Sequence, residues 1–179
     1  MKRVGDLERK YVLDVLDSQF RSSQGAKYMT KFENSFKKKF KSKFAISHVN
    51  GTATMHSVLE ASGIGIGDEV IVPPLTMSAT SLAVLHANAT PVFADVDIDT
   101  FNIDPKSIEK NITAKTKAII TVALYGLSPD IDPIMNLAKK YNLLVIEDNA
   151  QAFLSYYKGK LAGTFGDAAS FSFQSSKHL

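Results

Sequence analysis

A chain of 179 residues is long enough for one domain with a sizeable core, and 45% hydrophobic with 22% charged residues is ordinary for a soluble globular protein. It has no cysteine, which excludes disulfides, thiolate metal sites and cysteine nucleophiles. The net charge of +3 is modest, but Lys37, Lys38, Lys39, Lys41 and Lys43 crowd one region. With no aromatic stacking platform beside them, they read as the solvated end of a helix and not as a nucleic-acid surface. No apolar run reaches the ~20 residues needed to span a bilayer. The opening stretch MKRVGDLERKY lacks the apolar core of a secretory signal, so the expectation is a cytoplasmic protein with no membrane partner.

Val4, Leu7, Tyr11, Val12, Val15, Leu16 and Phe20 recur at helical spacing and predict a helix with one apolar face, broken by Gly25. A second helix is expected over residues 28–41, with Phe32, Phe36 and Phe40 on one stripe as core. Residues 44–49 predict a short strand. Asn50-Gly51-Thr52-Ala53 then opens a helix to about residue 62. A strand, a Gly turn and a helix start make a ready anion site, because the helix offers free N–H groups and a positive dipole end. The Thr52 hydroxyl could add a donor. The competing reading is that Thr52 only caps the helix.

The glycines at 63, 65 and 67 fail the dinucleotide fingerprint, because they precede a strand instead of following one. That strand is 69–72, ended by Pro73-Pro74. A helix over 76–88 and a strand over 91–96 follow. Asp95 and Asp97 at its end admit a paired-carboxylate metal site; the stronger reading is that Asp97 and Asp99 shape the turn before Thr100. Asp104 as N-cap, with Pro105 behind it, starts a helix to about residue 112. Residues 117–124 predict a strand, with Tyr125-Gly126 at its C-terminal end. Residues 130–141 predict a helix whose apolar side carries Ile131, Ile134, Met135, Leu137, Ala138 and Tyr141.

The stretch LLVIEDNAQ, residues 143–151, organises the rest. Its apolar run reads as a strand buried on both faces of a parallel sheet. Glu147 and Asp148 then fall at the C-terminal end, where ligands sit in open α/β sheets. A buried carboxylate there needs a positive partner. Gly159, Gly163 and Gly166 mark a loop or hairpin, and 168–173 a last strand that leads to Lys177. Strands alternating with helices predict a mostly parallel α/β sheet with right-handed crossovers. A phosphate cradle at Thr52, an acid at Asp148 and a Schiff-base lysine at Lys177 are together what pyridoxal 5'-phosphate (PLP) demands. Each also has a plainer reading: Asp148 as a strand-end cap, Ser172 as a small residue in a crowded strand, Lys177 as an exposed chain end.

The stretches NGTAT (50–54), DEVIVPPLTMSAT (68–80), PVFADVDIDTFNIDP (91–105), TKAIITVALYG (116–126), VIEDNAQ (145–151), YKGKLAGTFGDAASFSF (157–173) and SSKHL (175–179) occur in one order. In this the chain resembles the DegT/DnrJ/EryC1/StrS sugar aminotransferases, which are fold type I PLP enzymes. The resemblance implies a three-layer αβα large domain over residues 1–179, with a mostly parallel sheet. Family members are longer, so the resemblance also implies that these residues leave out the family's small C-terminal domain. It implies that Lys177 bonds the cofactor and shuttles protons, and that Asp148 pairs with the pyridinium nitrogen. Gln151 would meet the ring hydroxyl side, while Thr52, the Ala53 backbone and Ser172 hold the phosphate. Met77 falls where an aromatic residue usually stacks on the ring. Some relatives that deoxygenate sugars carry histidine at the lysine position; Lys177 aligns there, with His178 beside it, so transamination is favoured over dehydration. The implied reaction is amino transfer from glutamate to the ketone of a nucleotide-linked deoxysugar, for cell-surface polysaccharide, in a homodimer with no metal and no nucleic acid. The alternative is an inactive remnant that binds only PLP or a partner chain.

Overall fold

Two kinds of apolar pattern, buried runs and helical stripes, build the fold of the computed structural model, which describes residues 4–18 and 26–177. Phe20, Gly25 and His178, singled out in the sequence, lie outside the described residues. Two compact units form, Met1–Ser47 and His48–Leu179.

In the first unit, α1 (Asp6–Asp17) and α2 (Lys27–Phe40) are the predicted helices. Asp14 of α1 accepts hydrogen bonds from Lys27 Nζ at 2.6 Å and from the Tyr28 hydroxyl at 2.5 Å. On α1, Leu7, Val12, Leu13 and Leu16 are exposed, Tyr11 and Val15 are half-buried, and none is buried. The aromatic stripe of α2 is core only at one end: Phe40 is buried and stacks on Phe36, with centroids 4.4 Å apart, whereas Phe32 is exposed. Lys37, Lys38 and Lys39 occupy the last turn, where cations complement the helix dipole.

The second unit runs α3 (Gly51–Ala61), β1 (Glu69–Val72), α4 (Ala79–His86), β2 (Thr90–Phe93), α5 (Pro105–Asn111), β3 (Thr116–Val122), α6 (Ile131–Tyr141), β4 (Leu144–Asp148), the hairpin β5 (Tyr156–Tyr157) and β6 (Lys160–Leu161), and β7 (Ala168–Ser170). Five strands form one sheet in the order β2-β1-β3-β4-β7, with every neighbouring pair parallel. Alternation along each strand sorts the side chains between two cores. Val70, Val72, Ala118, Ile120 and Ile146 meet Met55 and Leu59 of α3 and Ala83 and Val84 of α4. Ile71, Ile119 and Val145 meet Ile108 of α5 and Ile131, Ile134 and Ala138 of α6. Helices thus cover both faces, which is the expected αβα layering. Among the described residues, no helix is long and apolar enough to cross a membrane.

The structure corrects several boundaries. Residues 44–49 form no strand, and Phe44, Ile46 and Val49 are exposed. Strand-forming residues do not make a strand without a ladder to join, and this stretch belongs to neither sheet. Helix α4 starts only at Ala79, after the two prolines and a bent connection. Asp97 does shape the turn: its Oδ1 accepts from the N–H groups of Asp99 and Thr100 at 3.1 and 2.9 Å.

At Gly166 the chain passes so close to β4 that a methyl carbon there would stand 2.6 Å from the Val145 carbonyl oxygen. Backbone cannot yield as a flexible side chain does. Gly166→Ala is therefore expected to destabilise by about 1–3 kcal/mol, read as a lower urea midpoint with an unchanged slope.

Candidate active site

Strand β4 delivers Asp148 to the C-terminal edge of the sheet, between Val122 of β3 and Ser170 of β7. The alternation that turns Ile146 towards α3 and α4 turns Asp148 the same way and Glu147 the opposite way. Asp148 is only 5% exposed. Its Oδ1 accepts from the Ala150 N–H at 3.0 Å, and its Oδ2 from the Thr80 hydroxyl at 3.1 Å. Burial pushes this carboxyl above the usual carboxylate range; the Ala150 N–H, the Thr80 hydroxyl and the nearby charge of Lys177 pull it back. The positive charge that acts on Asp148 is thus that of Lys177, half-buried at the end of a turn closed by its N–H on the Gln174 carbonyl at 2.8 Å.

The N-terminus of α3 lies against the end of β7. A methyl carbon on Gly51 would stand 3.6 Å from Ser172 Cβ and 3.7 Å from Ser170 Oγ. Thr54 Oγ1 donates to the Gly51 carbonyl at 2.6 Å and meets Ser170 Oγ at 2.5 Å. The cap itself differs from the sequence reading. Asn50 is the N-cap, and its Oδ1 accepts from the Ala53 N–H at 2.8 Å. Thr52 therefore stands inside the first turn with its hydroxyl unused by the cap. The Ala53 N–H, read as a phosphate donor, is engaged by Asn50. Gly51 and Thr52 keep N–H groups that have no acceptor within the helix.

Strand order reverses between β1 and β3, and the connections after both leave from this edge. Met77, in the connection after β1, is 61% exposed, and its carbonyl accepts from the Thr80 N–H at 3.2 Å. Gln151 lies beyond Asp148 and its Oε1 accepts from the Tyr125 N–H, after β3, at 3.2 Å. Asp148, Lys177, Gln151, Thr52 and Ser172 thus belong to segments that meet at one sheet edge. A surface cleft lined in part by Lys117, Asn142 and Asp167 lies instead at the opposite ends of β3 and β4.

Sequence reasoning missed three supports. Thr80 holds Asp148. Ser170 and Thr54 tie β7 to α3. Glu147 is buried and accepts from the N–H groups of Gly163 at 2.6 Å and of Phe165 and Gly166 at 2.7 Å, so it shapes the loop that feeds β7.

A sequence profile of the DegT/DnrJ/EryC1/StrS aminotransferase family matches residues 2–179. The chain is 49% identical over 172 residues to a GDP-perosamine synthase of Escherichia coli O157:H7, covering 96% of this chain and 47% of that protein. It is 47% identical over 175 residues to a GDP-perosamine synthase of Caulobacter vibrioides, covering 98% of this chain and 47% of that protein. Among solved structures, an aminotransferase from Psychrobacter cryohalolentis superposes with a TM-score of 0.93 at 43% identity, covering 97% of this chain and 44% of that one. The chain spans about half the length of the relatives it matches. The family is PLP-dependent. Matched by the family profile over residues 2–179, by a relative at 49% identity and in fold by a solved aminotransferase at 43% identity, the chain belongs to the DegT/DnrJ/EryC1/StrS aminotransferase family.

Proposed function

We propose that this chain forms the cofactor-holding part of an aminotransferase that places an amino group on the keto carbon of a nucleotide-linked deoxysugar, with glutamate as donor. The observation that carries the reading is the buried Asp148 carboxylate, under the charge of Lys177, at the same sheet edge as the α3 N-terminus and Ser172. The names of the relatives support the sugar substrate. Pairing of two copies belongs to the same proposal and rests on the family resemblance.

The residues fit PLP. A dianionic phosphate suits the free N–H groups of Gly51 and Thr52, with the hydroxyls of Thr52 and Ser172 as further donors. The Ala53 N–H joins them only by leaving Asn50 Oδ1. When bound, PLP supplies an electron sink for carrying the amino group. Asp148 would hold a proton on the ring nitrogen by keeping a negative charge beside it. Gln151, fixed through Tyr125, would orient the ring from its hydroxyl side. Met77 would cover a ring face through its polarisable thioether. Lys177 would supply the amine that anchors the cofactor and would hold or move a proton at Nζ.

The test is a visible absorption spectrum of the purified chain with added PLP, followed by borohydride reduction and peptide mapping. A new band with the reduced label on Lys177 is the expected result. Label scattered over surface lysines, or no band, would sink the proposal for this chain. Turnover with glutamate and a keto sugar separates an enzyme from a module that only holds the cofactor.

A further inference from the structure

We infer that Thr80, backed by Thr76, is the positioning residue that fixes the Asp148 carboxylate, charged and in one orientation, at the ligand edge of the sheet. Its link to the cofactor rests on the function proposed above; its effect on Asp148 does not.

The inference starts from helix spacing. Thr80, Ala83 and Val84 fall on one stripe of α4, continued by Ala87 at its C-cap, and all are buried. A hydroxyl in such a stripe must find a partner, and Thr80, fully buried, finds Asp148 Oδ2 at 3.1 Å. A threonine hydroxyl has one proton and two lone pairs. Since the ionised carboxylate only accepts, Thr80 spends its proton there and must accept from Thr76 Oγ1, 3.2 Å away. The chain of donors therefore runs one way, from Thr76 to Thr80 to Asp148. Each link polarises the next towards the negative charge.

The other groups around Asp148 leave this task open. The Ala150 N–H serves the other oxygen, Oδ1. Lys177 is the charged group that acts on Asp148. Glu147 projects to the opposite face and is held by the 163–166 loop. Val122 and Ser170, beside Asp148 in the sheet, carry no charge. Oδ2 thus depends on Thr80 for its orientation. Without that bond the carboxylate stays buried but loses its fixed direction and part of what stabilises its charge.

Two readouts test this. In the cofactor-free chain, the carbon-13 signal of the Asp148 carboxyl is titrated against pH. Thr80→Val, which keeps the shape and removes the donor, is expected to raise the midpoint by about one pH unit, a tenfold gain in proton affinity. Thr80→Ser, which keeps the hydroxyl, restores the parent midpoint. Thr76→Val moves it in the same direction by a smaller step, and it serves if Thr80→Val fails to fold. In the presence of PLP, Thr80→Val weakens binding about tenfold and Thr80→Ser about twofold or less. Midpoints that stay together in the parent and both valine variants would overturn the inference. A moved midpoint in a chain that shows no PLP band would leave Thr80's role standing and remove the cofactor reading alone.

Discussion

Glu147→Ala is expected to cost about 3–5 kcal/mol, a large part of the ~5–15 kcal/mol that holds a typical domain together. The carboxylate is 3% exposed and closes the loop before β7 by accepting from three backbone N–H groups, those of Gly163, Phe165 and Gly166. Alanine leaves all of them without an acceptor, and a buried unsatisfied donor costs roughly 1–3 kcal/mol. Some water entry at the loop keeps the total below the plain sum. The loop also carries Asp167, whose Oδ2 accepts from the Val145 N–H at 2.9 Å and whose own N–H reaches the Val145 carbonyl at 2.9 Å, so its loosening reaches the β4–β7 pairing. Glu147→Gln separates charge from geometry. One oxygen still serves Phe165 and Gly166, while the amide N–H₂ faces the Gly163 N–H, donor against donor. Its cost should be smaller, about 1–2 kcal/mol. Urea unfolding followed by circular dichroism measures both variants, and amide hydrogen exchange at Gly163, Phe165 and Gly166 locates the effect. An alanine variant within about 0.5 kcal/mol of the parent would show that the loop holds itself.

Glu147 also shows where sequence reading reaches its limit. The run LLVIED announced a buried strand with an acid pair at its end, and β4 is that strand. A period of two already separates the pair, one acid to each face of the sheet. What the sequence lacks is the partner across each face: a threonine of α4 for Asp148, and a loop after β6 for Glu147. Thr80 was legible as a polar residue on an apolar helical stripe, a pattern that demands a buried acceptor. Asn50 was legible as a cap, since asparagine before a helix start outranks threonine inside it. Ser170 was not, because a serine in a short strand gives no sign of the helix end it touches. Residues 44–49 mislead for a different reason. Alternating apolar residues report a preference, and a strand exists only where another strand completes its hydrogen bonds.

Asp148→Asn should make the cofactor-free chain more stable at neutral pH while removing the charge on which the proposed chemistry depends. Burial raises the Asp148 carboxyl above the value near 3.9 of an unfolded aspartate. Between those two values the native state binds more protons than the unfolded state, so stability falls as pH rises through the window. Above it, the cost of the buried charge is present in full. Asparagine is neutral at every pH and matches the surroundings: its Oδ1 accepts from the Ala150 N–H, and its Nδ2 donates to Thr80 Oγ1, whose proton turns towards Thr76. The expected gain at pH 7 is about 0.5–2 kcal/mol, or about 2–4 °C in melting temperature for each kcal/mol. It should shrink towards zero as pH falls to about 4, where the aspartate no longer pays for its charge. Under the proposed function, the same variant would lack the charge that holds a proton on the ring nitrogen of PLP, and amino transfer would fall by at least ~10²-fold. Thermal melts at the two pH values and single-turnover spectra with glutamate measure the two halves. A variant that melts lower than the parent at pH 7 would mean that Lys177 and the donors of Asp148 more than offset its burial, and the carboxylate would then be a structural ion-pair partner as well as a functional one.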